Sequence, residues 1–265
     1  MPLIVSPSGR RYGRAKPEPL PEHRMISRVT AGLPQAVDTR GSCGAIKNQQ
    51  QMGSCTGHTG AESIEWICRR YLGKQPTLSP LYFYAKELIA DGDFPNDDGS
   101  TGLTLCNVGI VNGCCEDSLY PDASQEIIQP TAEMDANAAQ YRMGAYHGLT
   151  GSQVALSVLG DATPWPVEIG FTVYESFESD AVATSGVMPI PAPGEQILGG
   201  HEVLMVGYDI GETPTLRPAA AGPSALIQNS WGIDWGLQGF FWMPLAILDA
   251  ADTDLKILHA GAPWK

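Results

Sequence analysis

Gln49-Gln50-Gln51-Met52-Gly53-Ser54-Cys55-Thr56-Gly57-His58 marks the point where the chain changes pattern. Before Gly53 the residues are polar and without period. After Ser54, Ala61, Ile64, Ile67, Cys68 and Tyr71 recur on one stripe, so the spacing predicts a helix over 54–71. Arg69 and Arg70 fall in its last turn, where cations suit the helix dipole, and Gly73 supplies a stop. Cys55 therefore stands at a helix N-terminus, where free N–H groups and the dipole favour a thiolate. Gly57 and Gly60 each cost roughly 1 kcal/mol relative to Ala, which packing must offset. Small residues there also let a second backbone come close.

Downstream, Ser79 and Pro80 have the cap and first-turn chemistry to open a helix over 78–89. A polar, Gly-rich loop over 91–102 and a short helix over 104–112 follow. Ser152 is placed to cap a helix over 153–159. The signal then turns to strands at 167–173, 201–208, 225–228 and 239–242. Helices first and strands later predict an α+β chain of two unlike lobes. The expected division is an extended basic arm over 1–36, a helical left lobe over 37–130 and a β-rich right lobe over 131–265. Pro17, Pro19 and Pro21 favour an extended arm, which can lie along a surface or in a groove.

With 265 residues, 43% of them apolar and 17% charged, the chain can bury a large core. Its net charge of −13 argues against nucleic acid as a partner. The charge is uneven: residues 1–38 carry +3 and the rest −16, so the arm can dock on the body it precedes. No run approaches the ~18 apolar residues of a membrane span, and the start has no secretory signal core. A cytoplasmic location is the default expectation, with non-classical export as the alternative. The six cysteines show no zinc-ligand spacing. Asp91, Asp93, Asp97 and Asp98 do not fit a calcium loop and read as a solvated acidic turn. No metal and no cofactor are expected.

A thiol nucleophile needs a base, the base an orienting partner, and the developing oxyanion donors. Alone, Cys55 would read as a buried structural cysteine; its company changes that. His201 opens a strand after Gly199 and Gly200. Asn229 follows a strand and precedes Ser230-Trp231-Gly232, where an amide oxygen can accept from one ring nitrogen and fix the tautomer. Trp231 can shield that bond. His58, His147 and His259 lack such a context.

Four stretches in this order resemble the papain-like cysteine peptidases of the C1 family. They are Val37-Asp38-Thr39-Arg40, Lys47-Asn48-Gln49 through Gly53-Ser54-Cys55, Gly200-His201-Glu202-Val203 through Val206-Gly207-Tyr208, and Asn229-Ser230-Trp231-Gly232-Ile233-Asp234-Trp235-Gly236. The 146 residues from Cys55 to His201 fall inside the ~130–150 of that arrangement. The resemblance implies a papain-like two-lobe fold, with a barrel-like right lobe and the active site in the cleft. It implies Cys55 as nucleophile, His201 as base and acid, Asn229 as orienting amide and Gln49 as oxyanion donor beside the Cys55 N–H. At rest, Cys55 and His201 are expected as a thiolate–imidazolium pair, with the thiol exposed to the cleft and the arm packed on the body, partly covering that cleft as a minimal regulatory segment. Gly99, Ser100, Gly200, Glu202 and Trp231 are the expected substrate-binding residues, and proteins or peptides the partners. The sequence departs from the family at Met52, which replaces a disulfide cysteine, and at Thr56, which replaces an aromatic. Glu202 replaces a small residue, so a pocket wall is expected to be acidic and to accept Arg or Lys. Gly-Ser-Cys-Thr and Phe240-Phe241-Trp242-Met243-Pro244 resemble bacterial members. A thiol acyl-transferase or transpeptidase on the same site, and a non-catalytic peptide-binding homologue, are the alternatives.

Overall fold

Capping residues set the left lobe of the computed structural model, which describes residues 5–15, 20 and 22–260. Pro17, Pro19 and Pro21 lie outside the described residues. Helix α1 runs Cys55–Tyr71, α2 Pro80–Asp91, α3 Gly102–Val111 and α4 Ala132–Ala138. The Ser79 hydroxyl accepts the Tyr82 N–H at 3.0 Å, and Pro80 occupies the first turn of α2. Thr101 caps α3 by accepting from the Thr104 N–H, so that helix begins two residues before its predicted start. Gly57 sits on the Pro80 carbonyl and Tyr84, and Gly60 on the Phe83 ring, leaving no room for a methyl group at either. The two glycines thus let α1 and α2 approach closely.

The predicted apolar stripe of α1 understates its burial. From Cys55 to Cys68 every residue is buried, because α1 lies between α2 and the sheet. Three of its polar residues are buried with partners. Thr56 donates to Glu87 at 2.7 Å, Ser63 donates to Glu168, and Glu65 pairs with Lys47 at 2.9 Å.

The right lobe adds α5 (Ser152–Gly160), α6 (Asp180–Ser185) and α7 (Leu245–Leu248) to a sheet. Ser152 is not the cap of α5. It is the first helical residue, Gly151 precedes it, and the Asp249 carboxylate accepts from both its N–H and its hydroxyl at 2.8 Å.

The strands are β1 (Met25–Ile26), β2 (Ala36–Asp38), β3 (Ala145–Leu149), β4 (Val167–Tyr174), β5 (Ile197–Asp209), β6 (Ser224–Gln228), β7 (Phe240–Pro244) and β8 (Asp254–His259). They are ordered β1-β3-β8-β4-β5-β6-β7, with β2 paired to β5. Only β4 to β7 have a sequence signal strong enough to predict. β8 alternates charged and apolar residues around Lys256, whose buried ammonium takes an ionic partner in the folded chain. β1 and β2 return the segment before α1 to the right-hand sheet, so residues 25–26 and 36–38 are structural.

One apolar cluster joins Ile64, Trp66 and Ile67 of α1 to Phe171, Val206 and Leu258 of the sheet. A smaller one gathers Leu81, Tyr82, Tyr120 and Met134. All six cysteines are free. Among the described residues, no helix is long and apolar enough to cross a membrane.

Candidate active site

Cys55 is the first residue of α1, so its N–H has no partner within the helix. The turn that delivers it is braced from the acidic loop. Asp97 accepts the Gly53 N–H at 3.0 Å and the Tyr84 hydroxyl at 2.7 Å, and that hydroxyl accepts the Gly99 N–H at 2.9 Å. Asp91 accepts the hydroxyls of Ser100 and Thr104, both at 2.7 Å. Asp97, partly buried, therefore does not belong to a solvated acidic turn, and Asp91, exposed at the end of α2, is tied down by its hydrogen bonds. They hold the loop against the site because each carboxylate satisfies donors from other elements.

His201 lies in β5 and Asn229 directly after β6. The two strands pair, which brings residues distant in sequence side by side. His201 Nε2 donates to Asn229 Oδ1 at 2.9 Å, and Nδ1 has no hydrogen-bond partner among the described residues. The Trp231 ring stacks on the imidazole with centroids 5.0 Å apart. The Ser230 N–H also donates to Asn229 Oδ1, at 2.9 Å. Gln49 is buried. Its side-chain carbonyl accepts the Ser230 hydroxyl at 2.7 Å, and one amide N–H donates to Met52 O at 2.9 Å. The second N–H of that amide is left over.

The cleft between these walls is filled by the arm. The Arg14 N–H donates to Gly200 O at 3.1 Å, the Ala15 N–H to Ser100 O at 2.8 Å, and the Ser100 N–H to Gly13 O at 2.7 Å. Residues 13–15 thus form a short extended segment bonded to both walls. Gly13 is packed onto the Gly53 carbonyl, and Gly99, with φ +79°, onto the Gly13 carbonyl. The Tyr12 ring meets His201 edge-on at 5.9 Å, and the Arg10 guanidinium lies 4.3 Å over the Trp231 ring. The Arg14 side chain is buried between Glu202 and Asp254. All five residues expected to bind substrate, Gly99, Ser100, Gly200, Glu202 and Trp231, touch the arm.

This cover changes the electrostatics. Cys55, expected to be exposed to a partly covered cleft, is fully buried. Burial pushes its thiol up to about 12, against the backbone N–H groups of Glu202 and Gly13, which draw it down. Burial pulls His201 down to about 4, against the Asn229 hydrogen bond, which raises it. Both shifts run toward the neutral forms, against the thiolate–imidazolium pair that an open site would favour. Burial also raises Glu202, and Arg14 opposes that shift.

Residues 33–248 match the family described as papain family cysteine protease. The chain belongs to the papain family of cysteine proteases. The chain is 30% identical to cysteine proteinase B of Leishmania mexicana over 86% of its own length and 48% of that protein. It is 28% identical to cathepsin C of Schistosoma mansoni over 83% and 50%. A peptidase C1-like protein of Acanthamoeba polyphaga mimivirus is 26% identical over 74% and 63%. The chain thus spans between about half and two thirds of the length of these curated relatives. Among solved structures, xylellain, a cysteine protease from Xylella fastidiosa, superposes with a TM-score of 0.79 at 22% identity, covering 95% of this chain and 97% of that one. Procathepsin L 3 of Tenebrio molitor gives 0.69 at 17% identity, over 94% and 76%.

Three residues of this papain family protease near the site had no motif to reveal them: Asp97, Tyr84 and Asp254. Ser230 sits inside a quoted motif, but its hydroxyl acquires a partner only when Gln49, 181 residues away, is folded against it.

Proposed function

We propose that the chain is a latent cysteine endopeptidase acting on protein or peptide substrates through Cys55, His201 and Asn229. One observation carries this reading. The His201 imidazole is locked by Asn229 and roofed by Trp231, with no partner on Nδ1 among the described residues, and Tyr12 against its ring and Gly13 on the Gly53 carbonyl tie it to the turn that delivers Cys55. That is a base held in one tautomer beside a thiol at a helix N-terminus.

Once the cleft is open, water reaches the site and His201 Nδ1 takes the thiol proton. The thiolate attacks the scissile carbonyl. The oxyanion is held by the Cys55 N–H and the unused N–H of Gln49. His201 returns the proton to the leaving amine, which departs from the thioester. Water, deprotonated by His201, then releases the acid and restores the thiol. The arm is an internal inhibitor in this reading, since it covers the thiol and all five candidate substrate contacts. Deprotonated Cys55 is disfavoured for as long as Gly13 excludes solvent from it.

Treating the full chain with an epoxysuccinyl inhibitor and mapping the product by mass spectrometry tests the assignment. A single adduct on Cys55 is expected, and Cys55→Ala should lose both the adduct and peptide hydrolysis. An adduct on Cys43 or Cys115 with Cys55 unmodified would overturn it.

A further inference from the structure

His58 lies in the first turn of α1, three residues after Cys55, and is fully buried. Its ring touches three oxygens. Nδ1 lies 2.9 Å from the Ser54 carbonyl and 3.2 Å from the Ser54 hydroxyl. Nε2 lies 3.3 Å from Asp122 Oδ1, and neither of those two atoms has another partner among the described residues. Both nitrogens thus face acceptors, and an imidazole that donates from both satisfies the carbonyl and the carboxylate together. A cation in the first turn of a helix opposes the dipole and needs an anion beside it. Asp122 is placed to be that anion. Burial would raise its carboxyl, but His58 and Lys47 outweigh burial and hold it below its ordinary range. The Asp122 N–H donates to Asp117 at 2.8 Å, which fixes the turn that carries it.

What the two residues hold is the peptide bond between Ser54 and Cys55. The Ser54 carbonyl accepts the His58 backbone N–H at 3.0 Å as well as the proton of the ring nitrogen. Two donors from one residue converge on that oxygen, where a regular helix supplies one. A peptide unit is planar, so fixing its carbonyl also fixes the direction of the N–H at its other end. That N–H belongs to Cys55. A hydrogen bond to the carbonyl also polarises the unit and strengthens the N–H as a donor. Lys47, which helps to draw Asp122 down, belongs to the segment that carries Gln49. The same carboxylate is therefore coupled to the supports of both candidate oxyanion donors.

We infer that His58 and Asp122 are a positioning pair that aims and polarises the Cys55 N–H toward the oxyanion, acting through the Ser54 carbonyl. The inference rests on the peptidase reading, because it takes the Cys55 N–H to be an oxyanion donor. Both residues work from behind the peptide bond and not from the cleft. Their effect falls on the step in which negative charge develops on the scissile carbonyl oxygen. Substrate binding and the intrinsic reactivity of the thiol are left almost untouched.

The test compares the full wild-type chain with His58→Phe and Asp122→Asn in two reactions. Peptide hydrolysis gives kcat and KM, and iodoacetamide reports the thiol alone, since alkylation forms no oxyanion. His58→Phe keeps the bulk of the ring and removes both donors. It should lower kcat about 10-fold or more, with KM and the alkylation rate each within about 3-fold of wild type. Asp122→Asn keeps the shape and removes the charge, and should lower kcat in the same way by a smaller factor. An alkylation rate that falls in step with kcat would mean that His58 supports the thiol or the helix itself, and would overturn the inference. So would an unchanged kcat, or a loss confined to KM. Asp122→Asn carries the test alone if His58→Phe does not fold, as judged by thermal melting. The pair is also read without catalysis, in the NMR spectrum of the Cys55→Ala chain. There the Ser54 carbonyl carbon and the residue 55 amide nitrogen should both move upfield on either substitution, as the peptide loses polarisation. Unmoved resonances would overturn the inference as well. Moved resonances in a chain whose wild type hydrolyses nothing would keep the pair and remove the peptidase reading; hydrolysis with kcat indifferent to both substitutions would do the reverse.

Discussion

The Ser230 hydroxyl donates to Gln49 Oε1 at 2.7 Å while the Ser230 N–H donates to Asn229 Oδ1 at 2.9 Å. One residue therefore orients both the candidate oxyanion donor and the amide that steers His201. Removing the hydroxyl frees the Gln49 side chain to rotate without deleting its donor. Ser230→Ala is expected to lower kcat about 10-fold, and Gln49→Ala by about 10²-fold or less, because the Cys55 N–H remains. Both should leave KM nearly unchanged in steady-state peptide hydrolysis. An effect confined to KM would mean that Gln49 binds substrate instead.

Gly13 has no space for a side chain above the Gly53 carbonyl. Gly13→Ala should lift the arm from Cys55 and raise the rate of Cys55 alkylation at neutral pH by about 10-fold or more, if the docked arm limits access. At the rim, Arg11 pairs with Asp97 at 3.1 Å and Arg10 approaches Glu178 at 3.9 Å, both partly exposed and open to screening. The wild-type chain should therefore gain on Gly13→Ala as salt increases. Equal alkylation of the two forms at every salt concentration would leave the arm without an inhibitory role.

The pH profile of alkylation should differ between the same two forms. In the wild type the thiol is raised to about 12 by burial, so its thiolate fraction is small at pH 7 and grows only as pH climbs into the alkaline range. His201, lowered to about 4 by burial, stays neutral above that value and supplies no charge to hold a thiolate. Opening the cleft restores solvent to both groups, so Gly13→Ala should reach its plateau at a clearly lower pH. Superimposable iodoacetamide profiles would show that burial by the arm does not control the thiol.

Asp209 organises the loop between β5 and β6. Its carboxylate accepts the N–H groups of Gly211 at 3.1 Å and of Thr215 and Leu216 at 2.7 Å, and the Arg217 guanidinium donates to its backbone carbonyl at 3.0 Å. Asp209→Ala should cost about 2–4 kcal/mol, read from the denaturant midpoint, since those donors and Arg217 lose a buried charge. Burial alone would raise this carboxyl, but the N–H groups of Leu216, Thr215 and Gly211 outweigh it and hold it below its ordinary range. A depressed acid contributes stability above its unfolded pKa and loses it as pH falls through the folded one. The wild type's advantage over Asp209→Ala should therefore shrink in acid. A constant difference down to pH 2 would contradict this account.

Sequence alone determined the helices whose ends carry their own chemistry. The Ser79-Pro80 cap of α2 and the stripe Ala61, Ile64, Ile67, Cys68 and Tyr71 of α1 are local signals, readable because a cap and a helical stripe need only neighbours in the chain. It also determined the order of Gln49, Cys55, His201 and Asn229, because each stands in a motif. Short strands such as β8 could not be read, since their charged residues are tolerated only after distant partners neutralise them. The same holds for Ser230 on Gln49 and for Asp97 under Gly53, contacts that cross from one lobe or loop to another. Only the tertiary structure decided that Gly13 covers Cys55, and that Glu202, Gly170 and Asp254 form one row. Strand register places those three side by side across 84 residues of chain, and register is fixed by which faces are buried, a property of the whole fold and of no single segment.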